Sequence, residues 1–181
     1  IRLLKPLEFY QKKYGTISYG VNKMYLMMEK QHNRGQDGAG FASVKLDASP
    51  GEKYVHRRRS AGKQPIQEIF QEINNEINNH TSLNIDGNIP YIGQLMLGHV
   101  RYGTFGKNNI ESVHPFLRQN NWKHRNLIVA GNFNMTNNQE LFDNLVKLGQ
   151  HPKDKADGIT VMEKIGHFLD DSVSKIYRKL K

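Results

Sequence analysis

The stretch Leu95-Met96-Leu97-Gly98-His99-Val100-Arg101-Tyr102-Gly103-Thr104-Phe105-Gly106 constrains this chain more than any other. It opens as an apolar strand and breaks at Gly103 and Gly106. Alternation along a strand places His99 and Arg101 on one face and Gly98 and Val100 on the other. The arginine therefore stands at the mouth of a strand, where its planar, permanently charged fork can hold a carboxylate through two parallel hydrogen bonds. Taken alone, such an arginine reads as an ordinary surface ion pair, because exposed charges are the norm. Its weight comes from the segments around it.

Upstream, residues 6–14 suit a short helix, and residues 21–32 place Val21, Met24, Tyr25 and Met28 at helical spacing. Their methionines read as core filler. His32-Asn33-Arg34-Gly35-Gln36-Asp37-Gly38-Ala39-Gly40 follows, with three glycines in six residues. These mark close backbone approach or unusual dihedrals. No Gly-Lys-Ser/Thr follows, so this is not a phosphate loop. Residues 41–46 and 53–59 read as a hairpin, and residues 66–77 as a helix with Ile66, Ile69, Phe70, Ile73 and Ile77 on one stripe. Residues 78–90 read as a polar, Asn-rich loop, and residues 107–118 as a loop carrying His114-Pro115-Phe116. A strand over 127–133, a helix over 137–148 capped by Thr136 or Asn137, and a last helix after Asp157 complete the chain. Strands in hairpin order with helices between them predict an α+β fold with antiparallel sheets.

Length supports one domain, or one domain plus a short appendage, with a real core. The net charge of +9 makes polyanions a partner class to consider. The basic residues are scattered, apart from Arg57-Arg58-Arg59 and the tail 175–181, and neither run is interleaved with aromatic stacking residues. They read as a solvated basic face, which argues against nucleic acid. There are no cysteines, so disulfides and thiolate metal sites are excluded within these residues. No apolar run reaches membrane-spanning length and no signal peptide opens the sequence, so the expected location is cytoplasmic, away from membranes. The eight histidines form no metal-ligand spacing, and no metal site is expected. No serine sits on a strand-to-helix elbow, which argues against a serine triad.

Val129-Ala130-Gly131-Asn132-Phe133-Asn134-Met135-Thr136-Asn137 is a strand end turning into a helix. An Asn amide with a neighbouring backbone N–H can form an oxyanion hole. An Asn-rich turn with a helix cap accounts for the same residues.

Four segments taken together, 32–40, 98–104, 112–116 and 131–137, resemble in this order the class II glutamine amidotransferase domain. Within that family, Arg34-Gly35-Gln36-Asp37 with Ala39-Gly40, and Gly98-His99-Val100-Arg101-Tyr102, are closest to the branch that delivers ammonia to a phosphoribosyl acceptor in purine synthesis. The resemblance covers nearly all of residues 1–181. It implies an N-terminal nucleophile hydrolase fold, a four-layer αββα sandwich with two antiparallel sheets between helical layers. It also implies hydrolysis of the glutamine side-chain amide through a cysteine thioester. Arg101 would grip the substrate α-carboxylate, with Thr104 shaping that pocket, and Asp157 would bind the α-amine. Asn132 and the Phe133 N–H would form the oxyanion hole, and Arg34 and Gly35 would line the nucleophile's pocket. A zwitterionic substrate calls for one fixed cation and one fixed anion beside an amide-sized slot.

The family's nucleophile is an N-terminal Cys, which this sequence lacks, so it is expected just upstream of Ile1. Phe133 stands where the family usually has Gly, and Ile159 where a Glu usually follows the amine-binding Asp. The partners implied are glutamine, a downstream phosphoribosyltransferase domain and further copies of the chain in a homo-oligomer. No cofactor is implied within residues 1–181, magnesium belonging to the downstream domain. A reading of another class is a catalytically inactive domain of this fold that binds glutamine or a partner protein.

Overall fold

The sheet that organises the first half of the chain is built around β1 (Gly38–Val44), seen in a computed structural model that describes residues 1–82, 89–103 and 109–180. β1 lies between β2 (Val55–Ser60) and β3 (Leu95–Arg101) in an antiparallel sheet of order β2-β1-β3. Phe41 pairs with Arg58 on one side and Gly98 on the other, and Gly38 pairs with Arg101. A central strand covered on both faces suits the small and apolar sequence Gly-Ala-Gly-Phe-Ala-Ser-Val, which is buried through Ser43.

On one face of this sheet lie α2 (Tyr19–Glu29) and α3 (Pro65–Ser82). Ala39, Phe41 and Met96 pack there against Val21, Met24 and Met28 of α2 and Ile66, Ile69, Phe70, Ile73 and Ile77 of α3. Val100 joins the same cluster, so the expected division of β3 into two faces holds. α1 (Leu7–Tyr14) buries none of its residues and is held by aromatic contacts, with Tyr10 and Tyr14 stacked on Tyr19 at 5.0 and 4.3 Å between ring centres. The start of the chain pairs with β3. Ile1 and Met96 exchange two backbone hydrogen bonds of 2.8 Å, and the Leu3 N–H donates to the Gln94 carbonyl at 2.7 Å.

The opposite face of the sheet is covered by residues 113–115. Gly40 makes this possible, since a Cβ there would overlap the His114 carbonyl. The basic triplet of β2 is not the solvated face its composition suggests. Alternation sends Arg58 to α3, where it pairs with Glu72 at 3.2 Å and with Glu76. It sends Arg57 and Arg59 the other way, to the Pro115 carbonyl at 3.2 Å and the Val113 carbonyl at 2.9 Å.

The chain divides into two compact units, Ile1–Pro115 and Phe116–Lys181. In the second, β4 (Phe116–Arg118) and β5 (Leu127–Val129) form an antiparallel pair that packs on α5 (Asp157–Leu180), as does α4 (Asn138–Lys147). Arg118 of β4 clamps the helix to the hairpin, reaching Glu163 at 3.1 Å and Asp170 at 2.6 Å, and these carboxylates raise its already high pKa.

Three elements differ from the sequence expectation. α3 continues over residues 78–82, expected as loop, because no Gly or Pro interrupts it where the apolar stripe ends at Ile77. The extra turn is polar, and the Thr81 hydroxyl donates back to the Ile77 carbonyl at 2.8 Å. β4 lies inside the expected 107–118 loop, being only three residues long and too short to show alternation. β5 ends at Val129, so residues 130–133 are irregular rather than strand. Asn137 does precede α4, but its side chain makes no capping hydrogen bond. Among the described residues no helix is long and apolar enough to cross a membrane.

Candidate active site

In the first unit the structure brings Arg34, Gly35 and Arg101 to one place. Arg101 ends β3 on the face away from the helices and is only 9% exposed. Arg34 is exposed at the end of a short helical turn, His32–Arg34, and Gly35 is buried directly after it. A Cβ on Gly35 would lie 2.7 Å from the Val100 carbonyl carbon and 2.8 Å from the Arg101 nitrogen. Glycine is required there by close approach, since its backbone is extended and unstrained. A hollow of about 270 Å³ opens between His32, Gly35 and Gln36 on one side and Lys63, Gln64 and the first turn of α3 on the other, and Arg101 does not line it. A larger groove of about 490 Å³ between α2 and α3, lined by Tyr25, Leu26 and Phe70, lies on the helical side of the sheet, away from Arg101. Thr104, expected beside Arg101, lies outside the described residues.

Two groups that sequence reasoning gave no role lie beside Arg101. The Asp37 N–H donates to the Arg101 carbonyl at 3.1 Å, and its carboxylate accepts from the Gly103 N–H at 2.7 Å. Asp37 thus fixes the backbone on both sides of Tyr102. His114 stacks on His99 with ring centres 4.6 Å apart. Burial holds His114 down to about 4, helped by its neighbours His99, Arg101 and Arg59. His99 is lowered by burial and then by Arg101. Both rings are neutral at pH 7. The Asp37 signal was present in Arg34-Gly35-Gln36-Asp37. Nothing in the sequence announced the histidine pair, whose members are fifteen residues apart.

In the second unit Asn132 and Phe133 belong to the turn before α4, and Asp157 to the start of α5. Asn132 is exposed, and Phe133 is half-buried with its ring over Gly131, where a Cβ would meet it at 2.7 Å. Tyr91 is the only non-glycine residue with positive φ among the described residues, so Phe133 is accommodated without left-handed backbone. Asp157 begins α5, and its carboxylate accepts from the Met135 N–H at 2.8 Å. That bond ties the turn carrying Asn132 and Phe133 to the helix start, where a carboxylate is also favoured by the helix dipole.

An amidophosphoribosyltransferase of Bacillus subtilis is 31% identical to the chain over 164 residues, covering 87% of this chain and 29% of the relative. The Lacticaseibacillus casei amidophosphoribosyltransferase is 30% identical over 113 residues, covering 62% and 47%. A solved structure described as the allosteric regulatory enzyme of purine biosynthesis superposes with a TM-score of 0.57 at 27% identity, covering 78% of this chain and 26% of that one. The chain is a relative of the amidophosphoribosyltransferases. A second solved structure, the glutamine phosphoribosylpyrophosphate amidotransferase of B. subtilis complexed with ADP and GMP, gives a TM-score of 0.51 at 28% identity, covering 76% and 24%. With these neighbours the chain shares the N-terminal nucleophile hydrolase fold, an α+β architecture with two antiparallel sheets and helices, as the sequence led us to expect. No family model matches the chain. It spans less than half the length of each of these relatives.

Proposed function

We propose that residues 1–181 are the glutamine-hydrolysing part of an amidophosphoribosyltransferase-like enzyme, releasing ammonia for a phosphoribosyl acceptor bound by a downstream domain. The observation that carries this reading is the buried Arg101 at the end of β3, with its backbone fixed by Asp37 and closely approached by Gly35. A guanidinium so held is a ready partner for an α-carboxylate, and a low-dielectric setting strengthens the pair. Thr104 shapes the same pocket in this reading, and Asp157 takes the substrate's α-amine. The chemistry assigned is attack of a thiolate on the side-chain amide carbon, expulsion of ammonia, and hydrolysis of the resulting thioester by water to glutamate. No cysteine occurs in these 181 residues, so the reading places the thiol upstream of Ile1, with Arg34 and Gly35 lining its pocket. The Asn132 amide and the Phe133 N–H stabilise the oxyanion of the tetrahedral intermediate.

The test is steady-state glutamate release by the intact protein. An oxyanion donor acts on the transition state more than on bound substrate. Asn132→Ala should lower kcat by roughly 10²–10³ with little change in KM. Near-normal kcat in a variant shown to be folded by circular dichroism would remove Asn132 from the site. Glutamine binding without any turnover in the unmutated protein would favour the inactive, glutamine-binding alternative.

A further inference from the structure

Arg57 and Arg59 belong to a motif the reaction above leaves unused, yet neither faces open solvent. Both lie on the sheet face that carries Arg101, and both donate to main-chain carbonyls of one short segment: Arg57 to Pro115 at 3.2 Å and Arg59 to Val113 at 2.9 Å. Arg59 also faces Glu111 at 3.5 Å, with the Arg59 side chain 11% exposed. Between the two anchored carbonyls sits His114, whose own carbonyl lies against Gly40. Its ring is stacked on His99, which shares a strand face with Arg101 two residues on.

We propose that Arg57 and Arg59 are positioning residues of the candidate site, lashing residues 111–115 across the sheet so that the His99–His114 stack forms a dry wall beside Arg101. A backbone carbonyl is a fixed acceptor, and a guanidinium fork binds it with more directional definition than a flexible ammonium. Two such bonds, two residues apart, fix the backbone on either side of His114, and the stack on His99 sets its ring. The stacked neutral rings exclude water on that side of Arg101, which strengthens any ion pair the guanidinium makes. The seating of His114 is independent of the reaction proposed above. The consequence for glutamine rests on that reading.

The experiment uses the intact protein, isotopically labelled at histidine, with Arg57→Met/Arg59→Met and Arg57→Lys/Arg59→Lys variants. NMR titration of the His114 imidazole should place its pKa far below the ordinary value in the unmutated protein. In the methionine pair it should return toward about 6.5 while the circular dichroism stays native. The lysine pair keeps two donors and should retain most of the depression. Glutamine affinity by calorimetry should fall about fivefold or more in the methionine pair and recover in the lysine pair. Should the methionine pair fail to fold, Arg59→Met alone gives the same His114 readout with one anchor kept. A His114 pKa that stays depressed in the folded methionine variant overturns the strap. An undiminished affinity there, despite a shifted His114, overturns its link to Arg101. Absence of glutamine binding in the unmutated protein counts against the function proposed above, while the His114 titration still decides the strap.

Discussion

His56 and His114 sit on opposite faces of the same sheet, and burial holds both near 4, well below an ordinary imidazole. His56 is 8% exposed against the ring of Tyr91, with Lys53 adding to the depression, and His114 is closed in by His99, Arg101 and Arg59. A depressed folded-state pKa means that the unfolded chain binds protons first as pH falls. Stability from these residues is therefore complete above about pH 6.5 and is lost progressively as pH falls toward 4. Urea denaturation between pH 7.5 and 5, above the carboxylate range, should show unfolding free energy falling over the lower part of that interval. Replacing both residues with glutamine should flatten the profile. A flat profile in the unmutated protein would show that the two rings are not held neutral by the fold. Eight histidines were visible in the sequence, and their spacing spoke only to metal binding. The burial of His114 depends on Gly40 admitting residues 113–115 to the sheet, a contact between segments more than seventy residues apart, and that of His56 on Tyr91 across the other face.

At the scale of elements, legibility followed length. The α3 stripe was readable because Ile66, Ile69, Phe70, Ile73 and Ile77 repeat at helical spacing over three turns, and all five are buried. β4 and β5 are three residues each, and alternation over so short a span carries no signal. The basic triplet on β2 was misread for a related reason. Composition shows charge but not which face of a strand each residue occupies, nor that Glu72 and Glu76 wait on the neighbouring helix. The helix-facing core should be the stability centre of the first unit. Ile73 is fully buried, and Ile73→Ala should cost about 2–5 kcal/mol through lost contacts and an unfilled cavity. Chemical denaturation checks this directly, and a loss below about 1 kcal/mol would mean that α3 is not packed on the sheet as described.

For the molecule as a whole, the fold class was legible in four short segments whose order and spacing resemble one family, and the relatives and solved structures agree with that class. Among the candidate residues, the sequence singled out Arg101, Gly35 and the turn at Asn132, but not what fixes their backbones. Asp37 ties down the backbone after Arg101, and Asp157 ties the Asn132 turn to α5 through the Met135 N–H. Supports of this kind run through main-chain groups, which every residue type carries, so side-chain identity does not reveal them.

The central claim is that Arg101 is the carboxylate anchor of a glutamine site. Removing one partner of a buried, hydrogen-bonded charge pair typically costs about 2–5 kcal/mol, or roughly thirtyfold to several-thousandfold in affinity. Isothermal titration of the intact protein with glutamine, unmutated and as Arg101→Ala, measures this most directly. Saturable binding that falls at least about thirtyfold in the folded variant is the result expected. Equal affinity in the two proteins would contradict it.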